Sequence, residues 1–339
     1  MTKTKIAIVG FGGIARVHYA AYHKLIREGF PLEIVAVYEK NTESLFSNVK
    51  TNLDSDYVPL DPSTHVYGDI EDLIAKEDFD AADVCLPTFL HAPVSIRLLQ
   101  AGKHVLCEKP MALSGEDSAK MVAAAKENER CLMIGQCLRY DACYRYLRDL
   151  VRGREFGELR HLYLFRHITY PRWGSSFASA EKTGGCILDT HIHDVDIARF
   201  LLGEPEEASA VYYDREPYTQ VVNSRLRFGS VTVIADCSWD ESREKIFEAG
   251  FRAAFDKANV IYDGEGVKIY PLGEPPYSPA LAANDRIAEE LRAFCLLIRD
   301  GRNQTEEDPA ESACLSVRLV EALRESAKDF GKTVKPNDK

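Results

Sequence analysis

The first fifteen residues constrain the fold more than any other stretch. Lys5-Ile6-Ala7-Ile8-Val9 is a short β-branched run, Gly10-Phe11-Gly12-Gly13-Ile14-Ala15 follows it, and a helical pattern then continues through Glu28. Strand, GxGxxA turn and helix in direct succession open a parallel βαβ unit of the dinucleotide-binding kind. Gly10 permits the tight turn, and Gly12 lets backbone N–H groups approach a pyrophosphate at the helix N-terminus. Ala15 allows the helix to pack closely on its strand. The whole run from Gly10 through Phe11, Gly12, Gly13 and Ile14 to Ala15 is therefore a candidate cofactor-binding element.

The alternation continues. A second strand at Glu33 to Tyr38 ends in Glu39. An acidic side chain there accepts hydrogen bonds from ribose hydroxyls and repels a 2′-phosphate, which favours NAD. Lys40 next to it is a group that could hold that phosphate, so the cofactor reads as NAD or NADP, with Glu39 favouring NAD. Ala82 to Leu86 reads as a buried strand, Ala92 to Ala101 as a helix, His104 to Cys107 as a strand, Ser114 to Glu129 as a helix and Cys131 to Gly135 as a strand. Strands alternating with helices imply an α/β fold with a doubly wound parallel sheet. Ligands of such sheets bind at the carboxyl ends of the strands. Leu86, Pro87, Thr88, His91, Glu108 and Lys109 all fall at or after strand ends and are placed to face a cofactor. Lys109 precedes Pro110, which drives it toward an extended backbone. The isomer of the Lys109–Pro110 bond is open at the level of sequence.

A second dense stretch lies at Gly184 to Asp196, where three carboxylates and two imidazoles fall within eight residues. Ile187, Leu188, Ile192, Val195 and Leu202 fit one helix period. In a single helix Asp189 and His193 are i and i+4 and share a face. They read either as an oriented acid/base pair or as a buried polar pair bracing a helix start.

A chain of 339 residues suggests two domains. The crossing is expected near Gln136 to Asp141, giving a dinucleotide-binding domain at 1–137 and a substrate-binding and oligomerisation domain at 138–339. The final helix of the second is a candidate to pack back on the first. A net charge of −11 argues against a nucleic-acid surface and an anionic membrane as partners. The N-terminus shows no signal peptide and no apolar span. Nine scattered cysteines without CxxC spacing read as reduced core residues of a cytoplasmic protein, neither a disulfide framework nor a zinc site.

Four elements together resemble the glucose-fructose oxidoreductase / inositol dehydrogenase / MocA family: the Gly10–Ala15 turn, Cys85-Leu86-Pro87-Thr88-Phe89-Leu90-His91, Gly102-Lys103-His104-Val105-Leu106-Cys107-Glu108-Lys109-Pro110, and Gly184-Gly185 followed by Asp189 and His193. Their order and approximate spacing hold over essentially the whole chain. The resemblance implies an N-terminal Rossmann domain and a C-terminal α/β domain with a large, mostly antiparallel open sheet. It implies NAD(P)-dependent oxidation or reduction of a sugar, polyol or related small molecule. It also puts Lys109, Asp189 and His193 at the family's catalytic positions. Two departures stand out. Thr88 takes the place of a frequent asparagine, and Thr190-His191 replaces the small residues that usually follow the aspartate. His191 is thus expected to bear on substrate choice.

The second half supplies the remaining expectations. Arg139-Tyr140 opens a helix to about Arg152, and a strand runs from Leu159 to Ile168. Tyr170-Pro171-Arg172-Trp173-Gly174 begins an irregular stretch lasting to Gly184. Arg139, Tyr170, Arg172, Trp173 and His191 are candidate substrate contacts, and the loop suits an oligomer interface equally well. Strand-like runs recur at Ala208 to Tyr213, Gln220 to Phe228, Val231 to Trp239 and Ala254 to Tyr262, with a hairpin signal at Gly229-Ser230. The sheet face left uncovered by helices is a candidate surface for a homodimer or homotetramer. Helices at Asp285 to Asp300 and Asp308 to Phe330 close the chain. Two rival readings were open. One draws His191, His193, Asp194 and Asp196 as zinc ligands, although i and i+2 on a helix do not converge. The other is a non-catalytic NAD(P)-binding sensor on the same scaffold.

Overall fold

The computed structural model describes residues 3–46, 58–171, 177, 179–215, 219–240, 247–305 and 309–336. Two compact units are present, Met1–Cys137 with Asp285–Cys314 and Leu138–Asn284 with Leu315–Lys339.

The first unit is a six-stranded sheet in the order β3-β2-β1-β4-β5-β6. Its strands are β1 (Thr4–Val9), β2 (Leu32–Tyr38), β3 (His65–Tyr67), β4 (Ala81–Val84), β5 (His104–Glu108) and β6 (Leu132–Gly135), and all pairs are parallel. Strands buried on both faces need continuous apolar runs; Ile6–Val9 of β1 and β6 have them, and β4 is broken only by the buried Asp83. Helices α1 (Gly13–Arg27), α2 (Ile70–Lys76), α3 (His91–Gln100) and α4 (Gly115–Glu127) make the crossovers. Asp69 caps α2 and Ser114 caps α4 through their side chains, whereas α1 begins at Gly12 with no side-chain cap. The first-turn N–H groups of α1 are thus left to another acceptor.

Asp285–Cys314 was expected with residues 138–339 but belongs to the first unit. Its helix α9 (Arg286–Arg299) packs on α1, with Lys24 Nζ 3.2 Å from Asp285 Oδ2 and Arg292 Nη2 2.7 Å from Glu28 Oε2.

The second unit is a seven-stranded sheet in the order β13-β12-β11-β7-β10-β9-β8. Its strands are β7 (Leu159–Thr169), β8 (Glu207–Arg215), β9 (Thr219–Phe228), β10 (Val231–Asp240), β11 (Phe247–Phe255), β12 (Ala258–Tyr262) and β13 (Val267–Pro271). All neighbours are antiparallel except β7 with β10. The hairpin expected at Gly229-Ser230 joins β9 to β10, with Phe228 opposite Val231. The run expected as one strand from Ala254 to Tyr262 is two, because the chain reverses after Phe255. Leu162, Leu164, Arg166 and Ile168 of β7 are buried under helices, and Tyr163, Phe165 and His167 face the other side half-buried. The helices are α5 (Ala142–Gly153), α6 (Ala180–Thr183), α7 (Gly185–Asp189), α8 (Ile192–Leu202) and much of α10 (Ala310–Lys328). All nine cysteines are free thiols.

Candidate active site

At the end of β1 the chain turns at Gly10 with φ +90°, and its N–H donates to Tyr38 O at 2.8 Å. A Cβ there would stand 2.8 Å from Leu86 Cδ2 and 2.9 Å from Cys85 O, so only glycine fits this close approach. Gly12 is exposed, with no atom within 4 Å of the place a Cβ would take. Phe11 is buried, Ala15 is buried against the sheet, and Gly13 and Ile14 form the half-buried first turn of α1. Glu39, at the end of β2, returns to this turn. Its Oε2 accepts the Phe11 N–H at 2.9 Å and its Oε1 accepts the Asn41 N–H at 3.0 Å. Lys40 is exposed. An uncapped helix start, open space beside Gly12 and an anchored carboxylate at the second strand end fit a dinucleotide.

Behind the turn lie the other strand ends. Pro87 is exposed, Leu86 is half-buried and Thr88 is buried in a short 3₁₀ turn. Two residues expected to face the cofactor are turned inward instead. Glu108 is buried, because its carboxylate packs over Gly135 and is drawn to His18 Nε2, 3.0 Å away. Its other oxygen accepts the Lys109 N–H at 3.0 Å. His91 is 1% exposed, and its ring lies between Pro110 O at 2.8 Å and Leu86 O at 2.7 Å. Lys109 itself is half-buried and is followed by a cis bond to Pro110.

The second unit carries Asp189 and His193. They were expected on one helix, but α7 ends at Asp189 and α8 starts at Ile192, with Thr190-His191 as a break between them. The break has physical anchors on the sheet. Trp239 Nε1 of β10 donates to Thr190 Oγ1 at 2.6 Å, and Thr190 Oγ1 donates to Asp189 Oδ2 at 3.2 Å. His191 Nε2 sits 2.8 Å from Ser224 Oγ on β9. The start of α7 is fixed by Gly184 and Gly185, with φ of +81° and +66°, and by Cys186 N–H donating to Gln220 Oε1 at 2.7 Å.

His191 is fully buried, and burial together with the Arg166 charge lowers it to about 3. It is a neutral packing residue, and its expected role in touching substrate is corrected on that ground. Arg139 is corrected likewise. It is 1% exposed and holds Asp196 bidentately at 2.7 and 2.6 Å. Arg166 grips Asp194 in the same way at 3.1 and 3.0 Å. The zinc reading of His191, His193, Asp194 and Asp196 therefore loses three of its four groups to other partners. Tyr170 is buried, its ring edge-on to Trp239 and its hydroxyl donating to Phe177 O at 3.0 Å, so it packs the core beneath α7. Arg172 and Trp173 lie outside the described residues. From Thr183 to Arg199, only Asp189 and His193 remain half-buried and the rest are buried.

Sequence reasoning passed over His18, Asp83, Trp239 and Arg166. His18 had a signal, since it lies with Ala15, Tyr19, Tyr22 and Leu25 on the buried face of α1. Arg166 had none, being 28 residues from its partner.

A parallel sheet in this strand order, with a glycine turn and an acidic second strand end, defines a nucleotide-binding Rossmann unit. The family description "Oxidoreductase family, NAD-binding Rossmann fold" matches residues 4–136, and "GFO/IDH/MocA C-terminal domain" matches residues 144–260. The chain belongs to this GFO/IDH/MocA oxidoreductase family. It is 34% identical over 199 residues to a 1,5-anhydro-D-fructose reductase of Ensifer adhaerens, covering 57% of this chain and 59% of that one. It is 29% identical over 215 residues to an inositol 2-dehydrogenase of Salmonella typhimurium, covering 62% and 58%. The chain thus spans less than two thirds of the length of these curated relatives. The crystal structure of an aldose-aldose oxidoreductase from Caulobacter crescentus, complexed with glycerol, is 26% identical with a TM-score of 0.81, covering 98% of this chain and 99% of that one.

Proposed function

We propose that the chain is an NAD(P)-dependent oxidoreductase moving a hydride between nicotinamide C4 and a secondary carbinol or ketone of a sugar, polyol or related compound. The observation that carries this reading is the pattern around α7 and α8. In a run that is otherwise buried, the carboxylate and the imidazole alone keep an open side, and Trp239 and Thr190 orient the carboxylate. The names of the relatives given above supply the substrate class, and those three carry the names of enzymes, which argues against the sensor reading.

Bound nicotinamide would supply the hydride chemistry. In the oxidative direction His193 takes the hydroxyl proton, a role that typically contributes roughly 10² to 10⁴ in rate. Asp189 orients that imidazole or holds a neighbouring substrate hydroxyl. Lys109 donates to the reacting oxygen and stabilises the charge that develops on it. The Gly10–Ala15 turn takes the pyrophosphate and Glu39 the adenosine ribose, with NAD preferred over NADP. Leu86, Pro87 and Thr88 border the nicotinamide side.

The second copy of a homodimer or homotetramer docks on the helix-free sheet face. There Val211 and Tyr213 are 53% and 57% exposed. A cytoplasmic location accords with nine cysteines that form no disulfide.

The test is NADH formation from NAD with a panel of polyols, aldoses and sugar acids, and NADP in parallel. Lys109→Met should lower kcat by about 10²-fold or more and leave NAD affinity within about threefold. A variant that keeps most of its kcat would remove Lys109 from the reaction. Glu39→Ala should narrow the preference for NAD, and an unchanged ratio of the two affinities would take Glu39 off the ribose.

A further inference from the structure

Lys109 stands between two residues, each held from behind by a buried imidazole of the first unit. On its N-terminal side Glu108 Oε1 lies 3.0 Å from His18 Nε2, and the other nitrogen of that ring lies 2.9 Å from Asp83 Oδ2. On its C-terminal side the Pro110 carbonyl lies 2.8 Å from His91 Nδ1, whose Nε2 lies 2.7 Å from Leu86 O. His18 is fully buried and His91 is 1% exposed, so neither ring is open to a ligand.

Ionised carboxylates and carbonyls only accept hydrogen bonds. All four ring nitrogens face such atoms, and a neutral imidazole donates only once. The four contacts are all attractive only when each ring carries two protons. For His18, burial opposes the charge but the Asp83 carboxylate, with Cys85 beside it, outweighs it, and the ring is raised well above its ordinary value. Burial works to raise Glu108 as well, but the bond and charge of His18, with Lys109, bring it below the usual carboxylate range. The other groups around His18 remain neutral acids. Cys85, 3.7 Å away, and Cys107 and Tyr22 are all pushed up by burial. His91 is the weaker case: burial outweighs its two carbonyl partners and lowers the ring toward the neutral form, in which it donates to one carbonyl at a time.

We propose that His18 and His91 are positioning residues for Lys109: His18 fixes Glu108 on one side of the lysine and His91 fixes Pro110 on the other. Glu108 passes the constraint on through its bond to the Lys109 N–H. The pinned main chain limits where the ammonium can reach, and a misplacement of about 1 Å can cost roughly 10²-fold in rate. The proposal deepens the reading of Lys109 given above and rests on it.

The experiment compares the full-length wild type with His18→Gln, His91→Gln and Lys109→Met. Side-chain ¹⁵N resonances report ring protonation. The ¹³Cε signal of Lys109, assigned by its loss in Lys109→Met, reports the placement of the lysine without needing turnover. NADH binding reports an intact fold, and kcat and KM are taken on the substrate found. The wild-type His18 ring should carry two protons from pH 6 to pH 9. His18→Gln should lower kcat by about 10- to 100-fold, hold KM and NADH affinity within about threefold, and shift or broaden the Lys109 signal. His91→Gln should act in the same direction and less strongly. A singly protonated His18 at pH 7 would overturn the proposal, even if His18→Gln does not fold. So would folded variants whose Lys109 signal and kcat match wild type. If Lys109→Met retains turnover while the lysine signal still moves in the histidine variants, the positioning stands and the catalytic reading of Lys109 falls.

Discussion

In the first unit Lys109, the proposed catalytic lysine, is flanked by Glu108 and Pro110, whose oxygens face the imidazoles of His18 and His91. In the second, His193 rides on the first turn of α8 just before Asp194 and Asp196, whose carboxylates are gripped by Arg166 and Arg139. Each region also contains a fully buried histidine, and the two are in opposite states. His18 lies between two carboxylates and is held charged. His191 has the Arg166 guanidinium nearby and one hydroxyl partner, and is held neutral. Burial disfavours the charge on both rings; at His18 the neighbouring carboxylate offsets it, and at His191 the Arg166 charge adds to it.

That contrast can be broken most directly at the ion pairs. Asp194→Ala leaves a buried guanidinium without its carboxylate and should destabilise the protein by about 3–5 kcal/mol. A thermal or urea melt showing a loss under about 1 kcal/mol would mean that the pairs do not hold α8.

The next effect concerns acid. His191 titrates at about 3 when folded and near ~6.5 when unfolded. Between these values the unfolded ring binds a proton that the folded ring does not. Stability should therefore fall on acidification by about 1.4 kcal/mol per pH unit from this group alone. His191→Asn should flatten that limb in melts taken from pH 6.5 to pH 4, and an unchanged slope would show that the ring is not held neutral. His18 has the opposite sign. Its folded value is raised, so its contribution is complete below pH ~6.5 and is lost as pH rises through the folded value.

The smallest expected effect is at Trp239→Phe, which removes the N–H donated to Thr190. A loss of about 1 kcal/mol in stability should accompany a fall in kcat of less than about tenfold. If kcat fell as far as it does in Lys109→Met, Trp239 would be doing more than steadying the helix break.

The two regions also differed in how far they could be read from residues alone. The glycine turn, the strand-end lysine and the alternating elements of the first unit depend on neighbours in sequence, so local chemistry exposes them. The break at Thr190-His191 depends on Trp239 and Ser224, 49 and 33 residues away. The apolar periodicity on either side hides it and suggests one continuous helix. Arg139 reads from sequence as a candidate substrate contact. Its partner Asp196 lies 57 residues on, and nothing local shows that the charge is already matched. The reversal after Phe255 was missed although it had a local signal, since Asp256-Lys257 is a polar interruption between apolar runs.

The carboxylate of Glu39 has two duties at once. In the proposed function it reads the ribose of the nucleotide, and in the structure it is a strut for the turn, accepting from Phe11 and Asn41. Anyone re-engineering the chain toward the phosphorylated dinucleotide by exchanging this side chain would also be loosening the loop meant to cradle it. Affinity for both nucleotides should then drop, for NAD more than for NADP, unless the redesign provides new acceptors for those two N–H groups. Selectivity and shape share one residue here, and they would have to be redesigned as a pair.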